Sequence, residues 1–154
     1  VGWLAGAAIA VVFVALYASR LAGRMDRLRL RMEATGAALE VALTRRAASC
    51  RVVDGTGPVA SAAATALAAG AAERELAESA LTRAVRLAWS GDWDAKVRSE
   101  VVVATERVHL ARQFNNAAIT ALQRLRKRRL VRLLRLAGPP PPDYVEIDDR
   151  LPGA

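Results

Sequence analysis

The stretch "VGWLAGAAIAVVFVALYAS" runs nineteen residues without a charged side chain. As a helix it spans about 28 Å at 1.5 Å per residue, close to the hydrocarbon thickness of a bilayer. A buried core helix of such uniformity would need a larger body around it than one domain of this size supplies. A cleaved signal peptide would want a basic segment ahead of the apolar run, and none stands there. Trp3 and Tyr17 lie near the two ends, where amphipathic rings favour the membrane interface. Arg20, Arg24, Arg27, Arg29 and Arg31 follow at once, and such a band marks the cytoplasmic flank of a membrane helix. Residues 1–19 are therefore expected to be an uncleaved transmembrane anchor with its N-terminus outside.

The remainder reads as all-α. Hydrophobic residues make up 53% of the chain but aromatics only 5%, so the apolar surface is mostly Ala, Val and Leu. That favours closely packed helices over a sheet built on large rings. Leu21, Met25, Leu28, Met32, Thr35, Leu39 and Ala42 recur in alternating steps of four and three, the spacing of one helix face. "VVDGTGP" stops that helix near Cys50, with Pro58 suited to the first position of the next. Leu76, Ala80, Leu81, Val85 and Ala88 are expected along one side of a third helix. At "WSGDWD", Gly91 can cap the outgoing helix and Asp92 the incoming one. The last helix repeats the heptad step through Val97, Val101, Ala104, Val108, Ala111, Ala118, Leu122 and Leu125, with Asn115 on the same seam.

The expected architecture is an antiparallel helical bundle over 20–137, with helices at about 20–50, 58–71, 73–89 and 94–137 and long first and last members. "GPPPP" ends the last helix, and 138–154 form a Pro-rich, acidic tail, extended and mobile. Residues 58–71, almost all Ala, make a weakly packed helix.

The formal net charge of +8 is concentrated in two bands. Residues 20–31 hold five Arg against Asp26, and 124–135 hold seven basic residues against no acid. Arg124, Arg128, Arg132 and Arg135 line one face, with Leu130, Leu133, Leu134 and Ala137 on another. A basic amphipathic segment of this kind suits a membrane surface or a partner protein. Nucleic acid is the alternative, since dense Arg neutralises phosphate. However, no aromatic interleaves with 124–137 to stack on bases, and no reading motif is present. In an antiparallel bundle the last helix returns to the membrane, bringing Arg124, Arg128, Arg132 and Arg135 to headgroup height beside Arg20, Arg24 and Arg27.

Three segments carry a family likeness. "AALEVALTRRAAS" (37–49), "ARQFNNAAITAL" (111–122) and "DYVEIDD" (143–149) resemble parts of the bacterial LemA family. The Ile-Pro-Asn-Leu-like segment of that family is missing here. The resemblance implies a one-pass anchor, a cytoplasmic antiparallel helical bundle and no established activity. The Ala- and Arg-rich composition likewise fits a high-GC bacterial genome.

No constellation of residues points to a reaction. His109 is the sole histidine and reads as a flank residue on a long helix rather than a general base. Cys50 is alone, so it forms no intramolecular disulfide, and it reads as a structural thiol. One His and one Cys do not build a zinc centre, and Gly55 and Gly57 lack the Lys-Ser of a phosphate loop. Glu73, Glu75 and Glu78 are expected in a solvated first helical turn. Trp89 and Trp93 are candidate partner contacts, weighed against simple closure of a bundle end. The expectation is a non-enzymatic membrane scaffold or accessory subunit without cofactor, contacting anionic lipid and a protein partner in a bacterial inner membrane. A membrane-tethered nucleic-acid-binding module is the alternative.

Overall fold

The computed structural model describes residues 2–128, 131 and 138–151. Among them all regular structure is helical: α1 (Gly2–Cys50), α2 (Pro58–Ala68), α3 (Arg74–Ala88) and α4 (Ala95–Arg126). Helix α1 carries the uncharged N-terminal run without a break into the polar segment that follows, and it is long and apolar enough to cross a membrane. Its apolar side chains there are bare, with Trp3 75% and Phe13 70% exposed.

Helix α1 ends where glycines enter. Gly55 adopts φ +64°, a left-handed conformation that a side chain would strain. The chain then turns so that Asp54 caps α2, its carboxylate accepting the N–H groups of Val59 and Ala60 at 2.8 Å each. These are orphan donors of a first helical turn. Asp94 does the same for α4, accepting the N–H groups of Lys96 (2.8 Å) and Val97 (3.3 Å). The acid that accepts these N–H groups is thus Asp94 and not Asp92.

The chain divides into two compact units. Unit 1 takes 1–34 and 117–143. Its core is Leu21 and Met25 of α1 against Leu122 and Leu125 of α4, with Val131. Unit 2 takes 35–116 and 144–154. One of its clusters joins Ala47 and Cys50 of α1, Val59, Ala63 and Ala66 of α2, Leu81 and Val85 of α3, and Val101 of α4. Alanine at the contacts lets helix backbones approach closely, so the Ala-rich segment expected to pack weakly has Ala63 and Ala66 fully buried. The second cluster is Leu39, Ala42 and Leu43 with Val108 and Ile147. The heptad positions of both long helices supply these contacts, and Asn115 is buried on the seam opposite Thr35, whose hydroxyl donates to it at 3.5 Å.

Three expectations are corrected. Helix α4 ends at Arg126, with Lys127 and Arg128 in a turn closed on Gln123 and Leu125. Residues 129, 130 and 132–137 lie outside the described residues. The buried face of α3 is Glu78, Leu81, Thr82 and Val85, leaving Leu76 76% exposed. A buried ion pair at Glu78 sets that rotation. Finally, residues 144–150 are not a mobile tail, for Ile147 and Asp149 are both buried in unit 2.

Candidate functional site

In unit 1 the packing of Leu21 and Met25 on Leu122 and Leu125 sets the two basic bands side by side. Arg20, Arg24 and Arg27 are exposed on α1, and Arg124 and Arg128 are exposed at and just past the end of α4. Arg126 turns elsewhere, donating to the carbonyls of Gly138 (3.1 Å) and Pro139. Arg132 and Arg135 lie outside the described residues. The result is a cationic collar directly after the bare apolar segment.

Trp89 and Trp93 meet edge to face with ring centroids 5.4 Å apart, and both pack against the larger cluster of unit 2. Arg98 lies over both rings, at 5.0 and 5.5 Å from their centroids. Its guanidinium donates to the carbonyls of Trp89 (2.9 Å) and Gly91 (3.0 Å). The Trp89 carbonyl lies just past the end of α3 and the Gly91 carbonyl also accepts the Trp93 N–H, so one arginine ties the connection together. In this arrangement the two rings close the end of the bundle.

Two polar clusters went unforeseen. Arg46 and Glu78 form an ion pair at 2.5 Å, with side chains only 3% and 0% exposed. Arg46 also donates to the Glu78 carbonyl and the Thr82 hydroxyl, each at 3.2 Å. Arg46 Nε and Glu78 Oε1 find no partner. Glu78 is therefore not in a solvated turn: it is the acid that makes a buried arginine on α1 tolerable. Cys50 lies one turn further along α1 and is fully buried. Burial raises its thiol pKa to about 11, against the lowering pull of Arg46 and with smaller upward pushes from Glu78 and Asp54. Both the burial and the raised pKa disfavour the reactive thiolate at neutral pH.

The other cluster gathers around the C-terminal segment. Asp149 accepts from Arg112 Nε (2.9 Å) and Nη2 (3.1 Å), and lies 3.2 Å from His109 Nδ1. Gln113 sits 2.7 Å from the other ring nitrogen. Asn116 donates to the Val145 carbonyl at 3.2 Å and accepts the Val145 N–H at 3.1 Å. Arg86 pairs with Asp148 and donates to the Arg150 carbonyl at 2.7 Å. Desolvation works to raise the Asp148 pKa. The Arg86 hydrogen bond, the Arg150 N–H and the charges of both arginines outweigh it and hold the carboxyl below its ordinary value. The basic partners of Asp148 and Asp149 come from two different helices, Arg86 from α3 and Arg112 from α4, so no local sequence signal pairs them.

Unit 2 also has a groove of about 480 Å³ whose lining includes Ala42, Arg45, Ala48, Glu100, Val103 and Arg107. Val103, Leu110 and Phe114 stay exposed along α4. Among the described residues no three or more His, Cys, Asp or Glu side chains gather to hold a metal ion. No protein-family model, no curated protein and no solved structure matches this chain.

Proposed function

We propose that this chain is a single-pass protein of a bacterial inner membrane, N-terminus outside, whose cytoplasmic helical bundle acts as a non-enzymatic scaffold or accessory subunit. Its cationic collar rests on anionic lipid headgroups. The observation that carries this reading is the convergence, in unit 1, of Arg20, Arg24, Arg27, Arg124 and Arg128 directly after the bare apolar stretch of α1. In water such a surface far exceeds what monomeric proteins expose. In a bilayer it is satisfied, and the collar falls at headgroup height. Each basic group near an anionic leaflet contributes about 1 kcal/mol.

The scaffold part rests on the exposed apolar side chains Val103, Leu110 and Phe114, which repeat at steps of seven and four along α4. That spacing suits a partner helix. The segments resembling the LemA family fall on α1, α4 and the docked C-terminal stretch, and point to the same class of protein.

A reporter enzyme fused after Ala154 tests the topology: it should be active only if it needs the cytoplasm. Activity on the outer side would overturn the reading. Purification in mild detergent should recover a stoichiometric membrane protein. Recovery of nucleic acid that survives moderate salt would favour a tethered nucleic-acid-binding module instead.

A further inference from the structure

Residues 145–149 are read as an extended peptide. Contacts repeat at every second residue, the period of an extended chain. Val145 is gripped through its main chain, because the Asn116 amide both donates to its carbonyl and accepts its N–H. Ile147 inserts among Leu39, Ala42, Leu43 and Val108 and is 5% exposed. Asp149, 6% exposed, enters the fork of Arg112 beside His109. The alternating residues Tyr144, Glu146, Asp148 and Arg150 remain exposed. Arg86 adds a second cation for the outward carboxylate at 148.

This is a built recognition surface: a main-chain clamp, an aliphatic pocket and a bidentate carboxylate holder, all projected from helices. None of its contacts depends on covalent continuity with the segment it holds. The segment itself has no helix or strand of its own. Were it to leave, the pocket of Leu39, Leu43 and Val108 would open beside two arginines. Such a surface selects an acidic peptide with an aliphatic residue two places ahead of an aspartate.

We propose that the face of unit 2 formed by His109, Arg112, Asn116 and the Ile147 pocket is a binding site for extended peptides of the form aliphatic-x-aliphatic-x-Asp, and that residues 145–149 are its resident, displaceable occupant. The chain's own C-terminal segment keeps the site closed until a partner segment of the same chemistry competes for it. This inference does not depend on the membrane reading, since every residue in it belongs to unit 2.

The test uses the full chain in detergent and a fluorescent peptide, DYVEIDDRL. Ile147→Asp together with Asp149→Lys unseats the resident segment and leaves the site itself intact. The peptide should bind this variant at least about tenfold tighter than wild type, because a tethered competitor acts at an effective concentration near millimolar. In the unseated background, Asn116→Ala and Arg112→Gln should each weaken binding about tenfold, and so should Asp149→Asn within the peptide. Equal affinity for wild type and the unseated chain, or indifference to Asn116→Ala and Arg112→Gln, overturns the proposal. Where the unseated chain loses its helical signal, the wild type decides. Excess peptide should speed hydrogen exchange of the amides of 145–149 several-fold, and unchanged exchange refutes displacement.

Discussion

Unit 1 carries twelve basic side chains against three acidic ones, whereas unit 2 carries eleven against twelve. Both units contain a stretch of each long helix, and unit 2 adds α2 and α3. In unit 2 the cations meet acids of the chain itself: Arg46 with Glu78, Arg74 with Glu40, Arg86 with Asp148, Arg112 with Asp149. In unit 1 the acids are too few to do this, and Arg20, Arg24, Arg27, Arg124 and Arg128 face outward. Charge in one unit is tied into the packing of its helices. In the other, much of it stands exposed at the surface.

The sharpest way to break this comparison is to remove an internal partner. Glu78→Ala leaves the Arg46 guanidinium buried and uncompensated, which costs about 3–5 kcal/mol by precedent for such pairs. Denaturant unfolding of the detergent-solubilised protein should show a loss of that order. Arg46→Met combined with Glu78→Leu should recover most of it, because an apolar pair of similar volume avoids desolvating two charges. A double variant as unstable as Glu78→Ala would mean that the ion pair is not what ties α1 to α3.

The same comparison predicts the reverse for unit 1. Arg20, Arg24, Arg27, Arg124 and Arg128 changed to Gln should leave unfolding stability within about 0.5 kcal/mol, as exposed substitutions do. Binding of a 20–154 fragment to vesicles containing anionic lipid should fall by up to several kcal/mol, less than the full sum because of screening and non-additivity. Binding that ignores both the substitutions and added salt would sink the lipid role of the collar.

Much of the scaffold was legible before the structure. Heptad spacing picked out Leu21, Met25, Leu39, Val101, Val108 and Leu122, all of which are buried, because helix periodicity is a local property of the chain. The breaks at "VVDGTGP" and "WSGDWD" were legible for the same reason. Glu78 and Arg46 were not, since a charged residue in a helical turn is solvated unless a distant helix brings its partner, and 32 residues separate these two. The docking of 145–149 was hidden likewise: after "GPPPP" an acidic stretch reads as tail until Arg86, Arg112 and Asn116, scattered over two helices, converge on it. The basic bands stood out as composition and their adjacency was expected from an antiparallel return of the last helix; the packing of Leu21 and Met25 on Leu122 and Leu125 supplies the contacts that bring them together.

Caps give a smaller probe of how tightly unit 2 is specified. Asp54 satisfies two N–H groups at the start of α2, and Asp54→Ala should cost about 1 kcal/mol. Asp92→Ala, which removes no cap, should be near neutral. Equal effects in thermal melts would erase the distinction drawn between capping and merely exposed acids in this unit.

The smallest effect belongs to Asp148, whose side chain is half-exposed while that of Glu78 is fully buried. Its carboxyl is held below the ordinary value of 3.8, so its folded-state pKa is depressed relative to the unfolded chain. A depressed carboxyl contributes stability that is fully present above about pH 3.8 and fades as pH falls through the lower folded value. Exposure to solvent limits the contribution to a few tenths of a kcal/mol. The difference in segment docking between wild type and Asp148→Asn, read from hydrogen exchange of the amides of 145–149, should therefore be constant at neutral pH and vanish in strong acid. A direct measurement is the NMR titration of the Asp148 carboxyl carbon, with a midpoint below 3.8 that rises in Arg86→Gln. A midpoint at or above 3.8 would show that Arg86 does not hold this carboxylate, and unit 2 would then have one internal pair fewer to set against the outward charge of unit 1.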